Sequence, residues 1–142
     1  MSTDSSVQYV RIYPGNDGES HFEDVSVAVQ SMKTATGISA RSWSSMPIGG
    51  ALTFTTVDPN SDDEGSPSAG GWGAWNVEKS RQFVLWLEGE VEIQVGSGET
   101  RRIVPGQLIL AEDVSGRGHR SRRLTETVRT VAIPLGFEAP SN

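Results

Sequence analysis

The feature that most constrains this chain is a pair of branched and aromatic runs joined by a very short glycine turn. Phe83–Leu87 and Val91–Val95 meet at Glu88-Gly89-Glu90, and the second run turns again at Gly96-Ser97-Gly98. Such residues fit a pleated, half-buried surface, and glycine supplies the positive φ that a tight reversal needs. The pattern predicts consecutive antiparallel strands, a β-meander. A third apolar run, Gln107–Leu110, follows Pro105-Gly106, and a lone His119 follows Ser115-Gly116-Arg117-Gly118. A period of two in the first strand puts Gln82, Val84 and Trp86 on one face and Phe83, Leu85 and Leu87 on the other.

The rest of the chain reads in the same way. Strands are expected over Val7–Tyr13, Val25–Val29, Ile38–Ser44, Ala51–Val57, His119–Leu124 and Thr127–Leu135. Asn16–Asp24 reads as a loop, carrying His21 and Phe22 near its end, and Thr34–Gly37 as a turn. No segment longer than a turn carries an apolar period of 3.6 residues, so the fold class is all-β, a barrel or sandwich of about nine or ten short strands. With 142 residues the chain is one domain with room for a real core. Residues 1–6 are small and polar and are expected to be disordered. Residues 7–138 form the domain and 139–142 a C-terminal tail. Residues 59–71 are rich in acids, Ser, Pro and Gly and read as a flexible surface loop.

Composition removes several function classes. The net charge of −6 opposes general nucleic-acid binding, which needs excess positive charge against phosphates. No stretch approaches the roughly 18 to 20 apolar residues that span a bilayer, and the first residues lack a signal-peptide core, so a cytoplasmic protein without membrane contact is expected. The absence of Cys excludes disulfides, thiolate nucleophiles and Cys-ligated metals. The cations are ten Arg against Lys33 and Lys79 only. Arg offers a planar fork for carboxylates and a flat face for aromatic rings.

The spacing of polar residues around the meander resembles the cupin superfamily. Its first motif is a Gly, five residues, His-x-His, three or four residues, Glu, six residues, Gly. Here Asn76-x-Glu78 is followed after three residues by Gln82 and after six more by Gly89. Its second motif is matched by Pro105-Gly106 and by Gly116-Arg117-Gly118-His119. That second part is two residues longer than the usual pattern, with Val114 where Pro is expected and Arg123 where Asn is expected. The resemblance covers roughly 71–123, about a third of the chain. It implies a single-domain double-stranded β-helix, the cupin jelly-roll barrel. It also implies homodimers that pair through an edge strand or swap an N-terminal strand, for which Val7–Tyr13 is the expected element.

In metal-binding cupins the matching positions hold iron, manganese, nickel or zinc. Here they read Asn76, Glu78, Gln82 and His119. Neutral amides are weak donors for such metals, so no metal and no cofactor is expected. Were a metal present, His119 and Glu78 with Asn76 or Gln82 would hold it, His21, Glu112 or substrate completing the set. Glu78 and His119 instead form a candidate catalytic acid–base pair. Asn76, Gln82 and Arg41 become hydrogen-bonding groups for a substrate, and Trp75, Trp86, Trp43 and Trp72 its apolar walls. Glu112 and Asp113 are expected to make local ion pairs, with Glu112 the member that would point inward. The expected function is metal-independent proton transfer on a small organic substrate, natural products included: an isomerase, cyclase or lyase/dehydratase. A non-catalytic ligand sensor and a metal-dependent oxygenase are the alternatives.

Overall fold

The computed structural model describes residues 6–28, 30–34, 37–43, 48–57 and 71–135. They contain no helix and eleven strands: β1 (Ser6–Pro14), β2 (Ser20–Ala28), β3 (Gln30–Thr34), β4 (Gly37–Trp43), β5 (Thr53–Val57), β6 (Gln82–Glu88), β7 (Val91–Val95), β8 (Thr100–Ile103), β9 (Leu108–Ala111), β10 (His119–Arg123) and β11 (Val128–Pro134). A six-stranded sheet runs β2-β1-β9-β6-β11-β5, a three-stranded sheet runs β10-β7-β8, and β3 pairs with β4. The stretch 59–71 is outside the described residues apart from Gly71, as are 1–5 and 136–142.

Register explains why the two larger sheets face each other. Val10, Ile109 and Val84 lie in one cross-strand row, and Ile12, Ala111 and Gln82 in the next. On the smaller sheet Val91, Ile93 and Val95 alternate inward and are almost wholly buried. Val10, Ile12, Trp86 and Ile109 of the one and Val91, Ile93, Val95 and Ile103 of the other form a single core, joined by Phe22 and Val128. Burial of that apolar surface drives the layers together. Ser20 pins the corner between them. Its Oγ accepts from the Gly96 amide at 2.7 Å and donates to the Gly118 carbonyl at 2.7 Å.

Four expectations change. The all-β sheets are consistent with a β-sandwich or jelly roll, but among the described residues the ladders do not close into a barrel. Among the described residues the far side of β10 is met by one backbone bond from Gly73 and an exchanged pair with Asn76, not by a strand of the large sheet. Second, Val7–Tyr13 is not an edge strand, because β1 lies between β2 and β9. Third, β2 starts at Ser20 rather than Val25, since Ser20 and Phe22 already point into the core and Ser20 is satisfied there. Fourth, β3 and β8 were not expected as strands. β8 carries Ile103 as its one apolar residue, too little for alternation to show.

The Gly89 turn is as tight as the sequence implies. Its φ is +82°, and a Cβ there would collide with the Thr127 carbonyl oxygen.

Candidate functional site

Three side chains meet at the open end of the smaller sheet. His119, the first residue of β10, pairs across the ladder with buried Val95, so its side chain takes the core side. Asn76 forms an isolated antiparallel bridge with His119, each amide donating to the other's carbonyl at 3.0 Å. Gly118 makes that approach possible. Its φ is +77°, and a Cβ would collide with the Asn76 carbonyl oxygen. Two residues beyond Asn76, the Glu78 amide donates to the Asp113 carbonyl at 3.1 Å, which turns Glu78 toward the same point.

The imidazole of His119 lies between two carboxylates. Its Nδ1 is 2.6 Å from Asp113 Oδ2, and its Nε2 is 3.8 Å from Glu78 Oε1. A carboxylate only accepts, so the short contact places a proton on Nδ1. The longer contact exceeds a hydrogen bond, which leaves Nε2 and Oε1 without a hydrogen bond among the described residues. The other Glu78 oxygen accepts from Gln82 Nε2 at 3.1 Å. Exposure rises along the row, from 0% for the Asp113 side chain through 14% for His119 to 21% for Glu78.

Burial sets the proton affinities. Desolvation raises the Glu78 pKa above its ordinary 4.5, and the Asp113 charge pushes the same way against the pull of His119 and Gln82. For His119, burial favours the neutral ring. The hydrogen bond and charge of Asp113, with Glu78 adding, outweigh it and raise the pKa above 6.5. Glu78 is thereby a stronger base than a surface carboxylate, and His119 an imidazolium over a wider pH range.

The other expected residues fall in several places. Asn76 is on the His119 side of its bridge but exposed, with Nδ2 donating to the Ala74 carbonyl at 3.3 Å. Gln82 lies beside Glu78. Trp86 belongs to the hydrophobic core, where its Nε1 has no hydrogen-bond partner. Trp75 and Trp72 stack on arginines of β10 and the loop before it. Arg41 and Trp43 lie on β4, outside the residues whose side chains are described. His21, near the start of β2, bonds Asp17.

Asp113 is the residue the sequence reading missed. The inward member of the acidic pair is Asp113 and not Glu112, which is buried against Arg11 Nε at 2.5 Å and Arg81 Nε at 3.5 Å. Asp113 makes the expected local ion pair, with His119 six residues on, whereas the Glu112 partner Arg11 is 101 residues away in the chain.

Few strong metal donors remain unbonded at the positions that match the cupin ligands. Asn76 is turned to its own backbone and the Gln82 amide nitrogen to Glu78. Asp113 takes the inner nitrogen of His119, so Nε2 and Glu78 Oε1 are the two strong donors left. Among the described residues no group of three or more His, Cys, Asp or Glu is arranged to hold a metal ion. Nor is any described helix long and apolar enough to cross a membrane.

No protein-family model matches the chain, and no curated protein matches it. Solved structures give distant likenesses. Protein NMB1881 from Neisseria meningitidis is 17% identical over 59% of this chain and 71% of that one, with a TM-score of 0.42. The SPY1581 protein of unknown function from Streptococcus pyogenes is 22% identical over 62% and 65%, also at 0.42. HppE in its iron(II) form with substrate is 15% identical over 59% and 44%, at 0.40. These likenesses assign neither a family nor a reaction.

Proposed function

We propose that this chain is a cupin-type jelly roll that catalyses proton transfer on a small organic substrate without a metal, as an isomerase, cyclase or lyase/dehydratase. The observation that carries this reading is the row Glu78–His119–Asp113, with Oε1 and Nε2 unspent at its open end. Glu78 takes a proton from a carbon beside a carbonyl, and the C–H electrons pass into the enolate double bond. His119 gives its Nε2 proton to the developing oxyanion and becomes a neutral ring, while Asp113 accepts from Nδ1–H and holds the ring in place. Returning the proton to a different carbon gives an isomer. Expelling a β-hydroxyl as water gives a dehydrated product. Gln82 holds the base in place. The expected homodimer then pairs through the ends of the large sheet, at β2 or β5, and sedimentation equilibrium would read twice the mass of the chain.

The test needs no prior substrate. The protein is incubated with a metabolite extract in deuterated water, and mass spectrometry follows compounds that gain deuterium or lose water. The wild type is expected to label at least one carbonyl compound, and His119→Ala none. Labelling that survives in His119→Ala, or a wild type that labels nothing, would sink the proposal.

A further inference from the structure

Glu78 is placed by the segment from Trp72 onward, which belongs to none of the strands. Backbone bonds tie this segment to the rest of the fold at Gly73, Asn76 and Glu78. Gly73 donates to the Ser121 carbonyl at 2.9 Å, Asn76 and His119 exchange their pair, and Glu78 donates to the Asp113 carbonyl. Side chains on the opposite side of β10 add a second set of ties. Arg120 and Arg122 pair across the ladder with Gln94 and Glu92, on the face away from buried Ile93 and Val95. There the guanidinium carbon of Arg117 lies 4.2 Å from the Trp75 ring centre and that of Arg120 4.9 Å from it. Arg120 is also 5.0 Å from the Trp72 ring centre, and Arg122 is 4.6 Å from it.

The alternation runs Arg117, Trp75, Arg120, Trp72, Arg122. Each arginine is itself fixed by its N–H groups. Arg117 bonds the Glu19 carboxylate at 3.1 Å and the Gly96 carbonyl at 3.0 Å. Arg120 Nε bonds Gln94 Oε1 at 2.7 Å, and Arg122 Nε bonds Glu92 Oε1 at 2.7 Å. A guanidinium held in this way has its flat face free for an indole, which cation–π attraction and ring stacking favour. Arg120 touches both indoles and is the keystone.

We propose that this arginine–tryptophan ladder positions Glu78 against His119, with Arg120 and Trp75 as positioning residues on the face of the sheet opposite the site. The ladder holds the segment, the segment holds the Asn76–His119 bridge, and the bridge fixes where Glu78 enters. Loosening the ladder frees the open end of the site and leaves the sealed end, Asp113 with His119 Nδ1, in place.

The test measures amide hydrogen exchange and the His119 titration by NMR in Trp75→Leu and Arg120→Gln, without substrate. The amides of Gly73, Asn76, Glu78 and His119 are expected to exchange about tenfold faster or more, while those of β6 and β9 keep wild-type rates. The His119 midpoint is expected to fall, because Glu78 no longer adds its charge, and Trp75→Phe is expected to restore most of both. The proposal is overturned if in both variants the four amides keep wild-type rates, if all amides accelerate together, or if the His119 midpoint stays put. Neither readout depends on turnover, so failure of the proton-transfer reading leaves this one standing, and the reverse holds too.

Discussion

Glu112 and Asp113 are adjacent, almost equally buried, and held by opposite kinds of partner. Glu112 lies between Arg11 and Arg81, whose charges persist at any ordinary pH. Asp113 lies against His119, whose charge changes near neutrality. One residue of strand geometry turns the first toward one side of the sheet and the second toward the site. A carboxylate between fixed cations is a structural tie. A carboxylate behind an imidazole, with a second carboxylate near the imidazole's other nitrogen, is the arrangement on which the proposed proton transfer rests.

The largest expected effect separates the two on activity. Asp113→Asn is expected to slow proton transfer by about two to four orders of magnitude, because an amide neither stabilises the imidazolium nor fixes the Nδ1 proton. Glu112→Gln is expected to leave that rate within about threefold, as nothing at Glu112 faces the reacting atoms. Deuterium incorporation under one set of conditions reads both.

Next in size is stability. Glu112→Gln removes the carboxylate between Arg11 and Arg81, but Arg11 keeps Glu23 at 3.4 Å and each arginine is about a quarter exposed and reaches water. The expected loss is about 1–2 kcal/mol, and urea denaturation at one pH measures it. A larger loss would make Glu112 a core tie in its own right.

A smaller effect lies in the pH dependence. Glu78 and His119 both have raised pKa values, so the folded state binds more protons than the unfolded chain, and stability falls as pH rises. The Glu78 part is complete below 4.5 and lost upward from there, and the His119 part is complete below 6.5 and lost as pH rises through the folded value. Melting temperature followed from pH 5 to 9 is expected to decline in the wild type and in Glu112→Gln. In His119→Gln the decline that begins above 6.5 is expected to vanish.

How far the sequence carries is plain in the same residues. Phe83–Leu87 and Val91–Val95 were legible because alternation and a glycine turn leave one register, and β6 and β7 follow them closely. Glu78 and His119 were legible through motif spacing, although a slip of one residue would have turned Glu78 outward. Asp113 was not. It stands next to a second acid, and which of the two faces inward depends on where β9 ends and on an Arg11 far away in the chain. The places of Trp72 and Trp75 were hidden for a related reason. Their arginine partners lie 42 to 50 positions on, and an extended Trp-Gly-Ala-Trp stretch reads equally well as a pocket wall.

One titration tests the central claim most directly: the His119 imidazole followed by NMR in the wild type, Glu78→Gln and Asp113→Asn. The expected midpoint is above 6.5 in the wild type, lower in Glu78→Gln and lower still in Asp113→Asn, since Asp113 supplies both a hydrogen bond and a charge. A wild-type midpoint at or below 6.5, or one that neither variant moves, would contradict a coupled Glu78–His119–Asp113 row.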